Sequence, residues 1–279
     1  MTNRQILRSL LRTEQPLVMP DAYDALSARL IEMAGFKAVQ CSGFSMALAA
    51  HAIPEPMLGF ERNIEITKAI VAAVNIPVMA DGEDGFGPPE RVFDVVRAFV
   101  EAGVSGINIE DQVVSEQAPK RLAEPNLMLD KLHAARSAAG NGESGIVINA
   151  RTDAVLLASD KTAALREAVS RGNLYLEAGS DMVFVTGVNS IEEVKVLVRE
   201  IRGPVSITAG QPQNVGAMSI RDLRECGVAR VSLPTLLVLT AMHAVQHALA
   251  MVRDSEQFTN LIDQGLLCGM PDVLAVLKR

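Results

Sequence analysis

Short apolar runs alternate with longer amphipathic segments along most of the chain. Between the runs lie helical patterns such as 89–102, where one face carries Val92, Val95, Val96 and Phe99. Several helical segments end in glycine before the next apolar run, which is typical of repeated βα units and a parallel sheet. The predicted strands are Leu17–Pro20, Ala38–Ser42, Val78–Asp81, Gly106–Glu110, Ile146–Arg151, Met182–Thr186, Val205–Thr208 and Ala229–Leu233.

Eight such units predict an α/β fold of the (β/α)₈ TIM-barrel type. The chain has 279 residues, and such a barrel typically needs about 250, so we expect one domain over 1–279. An open doubly wound sheet is the alternative, but the eight predicted strands favour the barrel. Residues 254–279 follow the eighth unit as a helical extension. Its apolar residues need a partner surface, either the barrel or a second subunit.

Composition narrows the possible partners. The net charge is −7 and there is no block of Lys and Arg, so we expect no nucleic-acid partner. The start of the chain lacks a signal-peptide pattern, and no apolar stretch reaches the roughly 18 residues of a membrane span, so we expect no membrane contact. Three scattered cysteines favour a reducing cytoplasm over a disulfide framework.

Carboxylates follow the third and fourth predicted strands directly. Asp81 and Glu83 end the third strand, and Glu110 ends the fourth. Buried carboxylates are costly unless they are paired or bind a metal, and two such clusters on consecutive strands indicate Mg²⁺. Structural ion pairs with Lys or Arg are the alternative. For the neighbouring Asp84 and Asp111 we expect capping or supporting hydrogen bonds.

Three further residues lie at predicted strand ends. Arg151 is suited to clamp a substrate carboxylate or phosphonate through two hydrogen bonds, or to pair with Glu110 or Asp153 inside the barrel. Ser42 and Gly43 offer a hydroxyl and a backbone N–H to an oxyanion; a simple strand-ending turn is the alternative.

The histidines offer no comparable site. His51 lies four residues before Glu55, and His243 and His247 are four residues apart on a predicted helix. No third metal ligand is suggested nearby, so we expect surface or interface positions.

At these residues the chain resembles the isocitrate lyase/phosphoenolpyruvate mutase superfamily, over roughly residues 5 to 250. The motifs that carry the resemblance occur in the order typical of that superfamily, at predicted strand ends. They are Pro20–Arg29, Cys41–Gly43, Asp81–Gly87, Gly106–Asp111 and Asn149–Asp153.

The resemblance implies a barrel whose eighth helix is exchanged between subunits, in homodimers that often pair into homotetramers. It also implies Mg²⁺ and a small 2-oxo acid or its enolate. By resemblance Asp81 is the Mg²⁺ ligand, Glu83 and Glu110 hold its waters, Ser42 and Gly43 bind a pyruvate-like carboxylate, and Arg151 bridges to the departing or transferred group.

The chain departs from the superfamily's carbon–carbon lyases at several positions. Their loop after strand four carries Lys-Arg-Cys-Gly-His, whereas this chain has Lys120–Glu124 without the Cys, Gly or His. Thr186 stands where the lyases carry Glu, and Glu83 stands where their metal motif has a second Asp. Glu55 replaces a functional Asp after strand two. We take Glu55, Glu110 and Arg151 as the candidate catalytic residues.

Three functions follow as hypotheses. The first is Mg²⁺-dependent carbon–carbon cleavage of a small 2-oxo or 2-hydroxy dicarboxylate through an enolpyruvate-like intermediate. The second is phosphorus–carbon chemistry, as a phosphonomutase or phosphonopyruvate hydrolase, for which the missing Cys is no obstacle. The third is a non-catalytic protein that binds a 2-oxo acid.

Overall fold

A closed parallel barrel of eight strands forms the centre of the molecule. The structure is a computed structural model that describes residues 1–52, 55–115 and 118–278. The barrel strands are β1 (Leu17–Ala22), β2 (Val39–Cys41), β3 (Val78–Asp81), β4 (Gly106–Glu110), β7 (Val147–Thr152), β8 (Met182–Val185), β9 (Val205–Thr208) and β10 (Arg230–Leu233). They follow one another in chain order around the barrel, and β1 closes it by pairing with β10.

Helices connect successive strands and cover the barrel. They are α1 (Asn3–Thr13), α2 (Ala25–Met33), α3 (Gly43–Ala49), α4 (Gly59–Ala73), α5 (Pro89–Glu101), α6 (Pro125–Ala139), α7 (Ala154–Leu157), α8 (Lys161–Glu177), α9 (Ile191–Glu200), α10 (Ile220–Glu225), α11 (Leu236–Ser255), α12 (Thr259–Asp263) and α13 (Met270–Leu277). Short 3₁₀ turns cover Glu55–Leu58 and Gly142–Ser144. The predicted (β/α)₈ barrel is confirmed, and all eight predicted strands overlap a barrel strand.

Apolar and polar side chains alternate along the barrel strands, so that the apolar ones face the helices and the polar ones face the barrel interior. Ile107, Ile109 and Ile148 pack in one buried cluster with the apolar face of α5. Because side chains alternate along a strand, the residues between them face the barrel axis. The parallel register sets Asp81 level with Asn108, and Glu110 level with Arg151. The charged side chains of consecutive strands therefore meet at one end of the barrel.

The polar segment 112–126 after β4 has the composition of a loop but contains regular structure. It forms an antiparallel hairpin of β5 (Gln112–Ser115) and β6 (Ala118–Leu122), and α6 then begins at Pro125. The base of the hairpin is closed by a hydrogen bond from the Ala123 N–H to the Asp111 carbonyl, 2.7 Å long. Polar residues at this position therefore form a short ordered element at the carboxyl end of the barrel.

The C-terminal helices leave much apolar surface exposed. Part of this segment contacts the barrel: Arg29 of α2 donates to the carbonyl oxygens of Val276 and Lys278. The exposed large apolar side chains of α11, α12, α13 and their connections are Leu236, Met242, Val245, Leu249, Phe258, Ile262, Leu267, Met270, Val273, Leu274 and Leu277. This surface, which we call the C-terminal apolar face, lies in part on the helix that follows the eighth barrel strand.

The sequence interpretation that no apolar stretch is long enough to span a membrane was wrong, whereas the expected absence of membrane contact stays a prediction. Helix α11 has 20 residues and a mean hydropathy of 1.3, so it is long and apolar enough to cross a membrane, and only 6% of that window is buried. The length of this apolar segment is not evident in the sequence because His243, Gln246 and His247 interrupt it, although they lower its mean hydropathy only slightly. Length and composition alone are weak evidence for a membrane span, because helices of soluble proteins also meet this criterion.

Candidate active site

Asp81, Glu83 and Gly43 form one compact group at the carboxyl ends of β2 and β3. Asp81 is 7% exposed, and its Oδ2 accepts a hydrogen bond of 2.9 Å from the Gly43 N–H. Its Oδ1 accepts one of 3.3 Å from the Glu83 N–H. Glu83 has a left-handed backbone, with φ of 48°, and its carbonyl accepts from the Glu110 N–H at 2.8 Å. These contacts tie β2, β3 and β4 together around Asp81.

The donor set fits Mg²⁺ bound mainly through water. Asp81, Glu83 and Glu110 offer the carboxylate oxygens that Mg²⁺ prefers. Within the described residues, no group of three or more His, Cys, Asp or Glu side chains is arranged to hold one ion directly. Mg²⁺ commonly uses one or two protein carboxylates and keeps several waters. The arrangement therefore suits a hydrated ion, and the division between Asp81 as direct ligand and Glu83 and Glu110 as carboxylates that hold its waters stays a prediction.

Glycine at position 43 leaves the space that the Glu83 carboxylate occupies. A β-carbon at Gly43 would lie 1.7 Å from Glu83 Oε1 and 3.3 Å from Asp81 Oδ2. We expect Gly43→Ala to displace the Glu83 carboxylate and to weaken Mg²⁺ binding about tenfold or more, as changes around a metal site typically do. Isothermal titration with Mg²⁺ measures this.

Gly216→Ala is the matched control, because a β-carbon there meets nothing within 4 Å. Since the clash at Gly43 involves the end of a flexible side chain, both variants should keep the melting temperature of the unaltered protein. Unchanged Mg²⁺ affinity in Gly43→Ala would refute the prediction that the Glu83 carboxylate takes part in Mg²⁺ binding.

Arg151 makes both of the ion pairs that were expected as alternatives to substrate binding. Its Nη1 lies 2.7 Å from Glu110 Oε2. Its Nε and Nη2 donate to the two oxygens of Asp153, at 2.8 and 2.9 Å. Burial disfavours the charged form of Asp153, but the Arg151 guanidinium together with hydrogen bonds from Thr186 and Gln112 outweighs this and lowers the pKa of the Asp153 carboxyl. A guanidinium has five N–H groups, so Arg151 keeps donors for a ligand while its plane is fixed.

Asp153 is held in turn by neutral donors. Thr186 Oγ and Gln112 Nε2 both donate to its carboxylate. Thr186 is the residue that stands where the related lyases carry Glu, and here its hydroxyl supports the Arg151–Asp153 pair. Gln112 is the first residue of the hairpin, so the hairpin base and the Arg151 guanidinium share one hydrogen-bonded network.

Asp111 has the supporting role that was expected. It is fully buried and accepts hydrogen bonds from the Asp153 N–H at 3.0 Å and the Tyr175 hydroxyl at 2.7 Å. Burial raises the pKa of the Asp111 carboxyl, which these donors and Arg171 oppose. Arg171 also donates to the Ala123 carbonyl at 2.8 Å. The hairpin base is thereby anchored to α8.

Ser42 and Gly43 already have partners within the protein. Ser42 is the N-cap of α3, with its Oγ accepting from the Ser45 N–H at 3.2 Å. The strand-ending turn that was the alternative therefore exists. The Gly43 N–H, as above, donates to Asp81. Binding of a substrate carboxylate by these two residues stays a prediction.

The remaining candidates take structural or surface positions. Asp84 accepts from the Phe86 N–H at 3.0 Å and lies 3.3 Å from Lys131 Nζ, which is a supporting role. His243 and His247 are exposed and stack on each other. The side chain of Glu55 lies outside the described residues, so its catalytic role stays a prediction.

Sequence reasoning missed two charged residues inside the barrel, Asp21 and Arg230. Asp21 accepts from Ser232 Oγ at 2.9 Å and from the Leu233 N–H at 3.1 Å. Burial raises the pKa of its carboxyl to about 7, although the nearby Arg230 opposes this. The signal was present in the motif at residues 20–29, but the first strand was predicted to stop at Pro20, two residues before its end at Ala22.

A cavity of about 440 Å³ adjoins the carboxylates on the β3 side of the barrel mouth. Its walls come from α4 and from the connection between β3 and α5, and they include Phe60, Asn63, Glu83, Phe86 and Arg91. Asn63 is fully buried and donates to the Asp81 carbonyl at 3.2 Å. The cavity therefore reaches the backbone that positions Asp81.

Fold and site together define a class of protein: a parallel (β/α)₈ barrel with buried carboxylates and a paired arginine at the carboxyl ends of its strands. Residues 7–253 match the family model described as phosphoenolpyruvate phosphomutase. The chain belongs to this family, and it is an enzyme of the isocitrate lyase/phosphoenolpyruvate mutase superfamily of lyases and mutases.

Relatives cover most of the chain. The 2,3-dimethylmalate lyase of Eubacterium barkeri is 29% identical over 92% of this chain and 88% of its own length. A 2-methylisocitrate lyase of Halalkalibacterium halodurans is 29% identical over 88% of this chain and 81% of its own. Among solved structures, a phosphonopyruvate hydrolase in complex with oxalate and Mg²⁺ has a TM-score of 0.87 at 26% identity, covering 99% of this chain and 95% of that one. These similarities include both carbon–carbon and phosphorus–carbon chemistry.

Proposed function

We propose that the protein is a Mg²⁺-dependent lyase that cleaves a carbon–carbon bond in a small 2-oxo or 2-hydroxy dicarboxylate. The observation that carries this proposal is the juxtaposition of the Asp81 group with the Arg151–Glu110 pair at adjacent strand ends. A dication beside a fixed guanidinium suits a small substrate with two negative groups. The lyases of E. barkeri and H. halodurans, similar along most of the chain, support the same chemistry.

Each group then has a distinct task. When bound, Mg²⁺ supplies Lewis-acid stabilisation of negative charge that develops on a substrate oxygen. Asp81 holds the ion, and Glu83 and Glu110 orient its waters. Arg151, fixed by Asp153, orients the group that departs. The hairpin of β5 and β6 follows β4 at this end of the barrel, where it would limit access of water. Glu55 is the candidate proton donor for the enolpyruvate-like intermediate.

Phosphorus–carbon chemistry is the second candidate. The specific observation in its favour is the hairpin sequence Lys120–Glu124, which has no cysteine to protonate an enolate. A phosphonomutase or phosphonopyruvate hydrolase would not need that proton donor. The likeness to phosphonopyruvate hydrolase agrees with this alternative.

Parallel NMR assays discriminate carbon–carbon cleavage from phosphorus–carbon chemistry. The protein with Mg²⁺ is incubated with phosphonopyruvate and, separately, with 2,3-dimethylmalate, 2-methylisocitrate and oxaloacetate, each with Asp81→Asn as the blank. A pyruvate-like or other carbon–carbon product in ¹H spectra, with the ³¹P signal unchanged, is the expected result. Loss of the phosphonate signal would move the assignment to phosphorus–carbon chemistry. Binding without turnover on every substrate would favour a non-catalytic 2-oxo acid protein.

We also propose that the C-terminal apolar face is covered by a second copy of the chain, in a homodimer or homotetramer. The support is its size and position, since large exposed apolar surfaces generally mark interfaces. On this proposal α11 is the exchanged eighth helix, and it packs on protein rather than in lipid.

Leu249→Glu tests the interface. Leu249 is 67% exposed on α11, and a carboxylate there should split the oligomer in sedimentation, because burying an unpaired charge is costly. Val215→Glu is the control, since Val215 is equally exposed, at 66%, on a different surface. A monomeric unaltered protein, or an oligomer indifferent to Leu249→Glu, would contradict the proposal.

A further inference from the structure

A guanidinium is fully buried inside the barrel. Arg230, the first residue of β10, is 0% exposed. Its Nη1 donates to Ser206 Oγ at 2.8 Å, its Nη2 donates to Gln40 Oε1, and its Nε lies 3.2 Å from Met19 Sδ. All three partners are uncharged. Within the described residues, no carboxylate lies in salt-bridge contact with Arg230. Burial lowers its pKa to about 10, so the group is protonated at neutral pH.

Such a charge is unusual in this position. The interior of a (β/α)₈ barrel is normally filled with layers of branched apolar side chains. Burying a charged group without a contact partner of opposite charge destabilises the fold, and departures of this kind concentrate at functional sites. The Phe184 ring, whose centroid is 5.3 Å from the Arg230 guanidinium, offsets part of the cost through its π face. Packing alone does not account for the residue.

Arg230 lies one layer below the site. Its partners Gln40 and Ser206 are the second residues of β2 and β9, whereas Asp81 and Glu110 are the last residues of their strands. The carboxylates whose charge acts on the Arg230 guanidinium are Asp21 and Asp81. The guanidinium therefore acts on the strand-end carboxylates through its electric field and not through contact. Because it lies inside the barrel and away from solvent, screening by salt is weak.

The electric field of Arg230 matters because most of the charged groups at the barrel mouth are negative. Asp21, Asp81, Glu83, Glu110 and Asp153 all lie there, and Arg151 is in contact with two of them. An anionic ligand that enters must overcome the surplus of carboxylates, even with Mg²⁺ bound. A second, internal cation reduces that surplus.

We propose that Arg230 is a positioning residue whose buried charge offsets the carboxylates at the barrel mouth and so allows an anionic substrate to bind beside the metal. The inference rests on the proposed function of the same site. It predicts opposite effects on cation and anion: without the guanidinium charge, an anion binds less tightly, whereas Mg²⁺ loses a repulsive neighbour. Loss of packing would instead weaken both.

The test is isothermal titration at pH 8, first with Mg²⁺ alone and then with oxalate at saturating Mg²⁺. Arg230→Met should weaken oxalate binding about tenfold or more, the scale of one close charge interaction. Its affinity for Mg²⁺ should stay the same or increase. Arg230→Lys keeps the charge only below the lowered pKa of its buried ammonium, so it is titrated beside the unaltered protein at pH 6 as well, where its oxalate affinity should stay within about threefold. Arg199→Met, on an exposed face of α9, is the control for loss of one positive charge and should change neither titration.

Each other outcome is decisive. Equal weakening of Mg²⁺ and oxalate in Arg230→Met, or unchanged oxalate affinity, would overturn the role of Arg230 while the proposed function stands. If the unaltered protein binds neither ligand, the proposed function fails and the inference with it. Should Arg230→Met not fold, as judged by thermal melting, Arg230→Gln provides the same comparison. Failure of both neutral variants to fold would assign Arg230 to stability and overturn the proposal.

Discussion

Replacing Asp81 with asparagine is expected to abolish detectable Mg²⁺ binding and to lower turnover by about a thousandfold or more, the scale of losing the main electrostatic stabilisation in a site. Asparagine is nearly isosteric and can still accept from the Gly43 N–H, so the fold should persist while the negative charge is lost. Isothermal titration with Mg²⁺ and the NMR assay with the best substrate measure the two effects.

Asp84→Asn is the matched control for this variant. Asp84 is only three residues away, but it pairs with Lys131, so the same chemical change should lower thermal stability slightly and leave Mg²⁺ affinity intact. Mg²⁺ binding that survives in Asp81→Asn, or that is lost equally in Asp84→Asn, would refute the assignment of the metal to Asp81.

Replacing Arg151 with methionine should separate anion binding from metal binding. We expect oxalate affinity at saturating Mg²⁺ to fall by about a hundredfold, because a fixed charge-assisted contact is lost. Affinity for Mg²⁺ alone should fall far less. Turnover should fall further than binding if Arg151 also stabilises the departing group. Titration of both ligands and steady-state kinetics provide these three quantities.

Arg171→Met is the comparison for Arg151→Met. Arg171 is also buried and paired, with Asp111 and Glu167, but it anchors the hairpin base from outside the group of strand-end carboxylates. We expect that variant to lose stability in thermal melts without selective loss of anion affinity. Equal losses of Mg²⁺ and oxalate in Arg151→Met would reassign Arg151 to structure.

The barrel was predictable because its strands leave a strong local signal. The runs at Val78–Asp81, Gly106–Glu110 and Val205–Thr208 are apolar on the helix-facing side and end where polar loops begin, and the structure has the same bounds. Asp81, Glu110 and Arg151 could be proposed as neighbours because strand ends of a barrel converge. The hairpin left no such signal, since the side chains of Gln112 and Arg121 are as polar as those of an open loop.

Arg230 was missed for a different reason. A charged residue at the start of an apolar run normally marks the boundary between an exposed turn and a buried strand, and burial of a guanidinium is rare. Its partners Met19, Gln40 and Ser206 come from three other strands, so their convergence depends on tertiary structure. The same holds for the Arg151 pairs: the sequence indicated Glu110 and Asp153 as alternatives, whereas the geometry permits both at once.

Closure of the barrel between β1 and β10 has a consequence for how the chain folds. Leu17 pairs with Arg230, so the closing contact joins residues near opposite ends of the sequence. Contacts of such long sequence separation slow folding, because loop entropy is lost before the contact is gained. During synthesis β1 must wait with an unpaired edge until the last strand emerges, and such edges promote aggregation. The strands that carry Asp81 and Arg151 can pair early, whereas Arg230 reaches its place below them only when β10 pairs with β1. Refolding should therefore restore secondary structure well before it restores ligand binding.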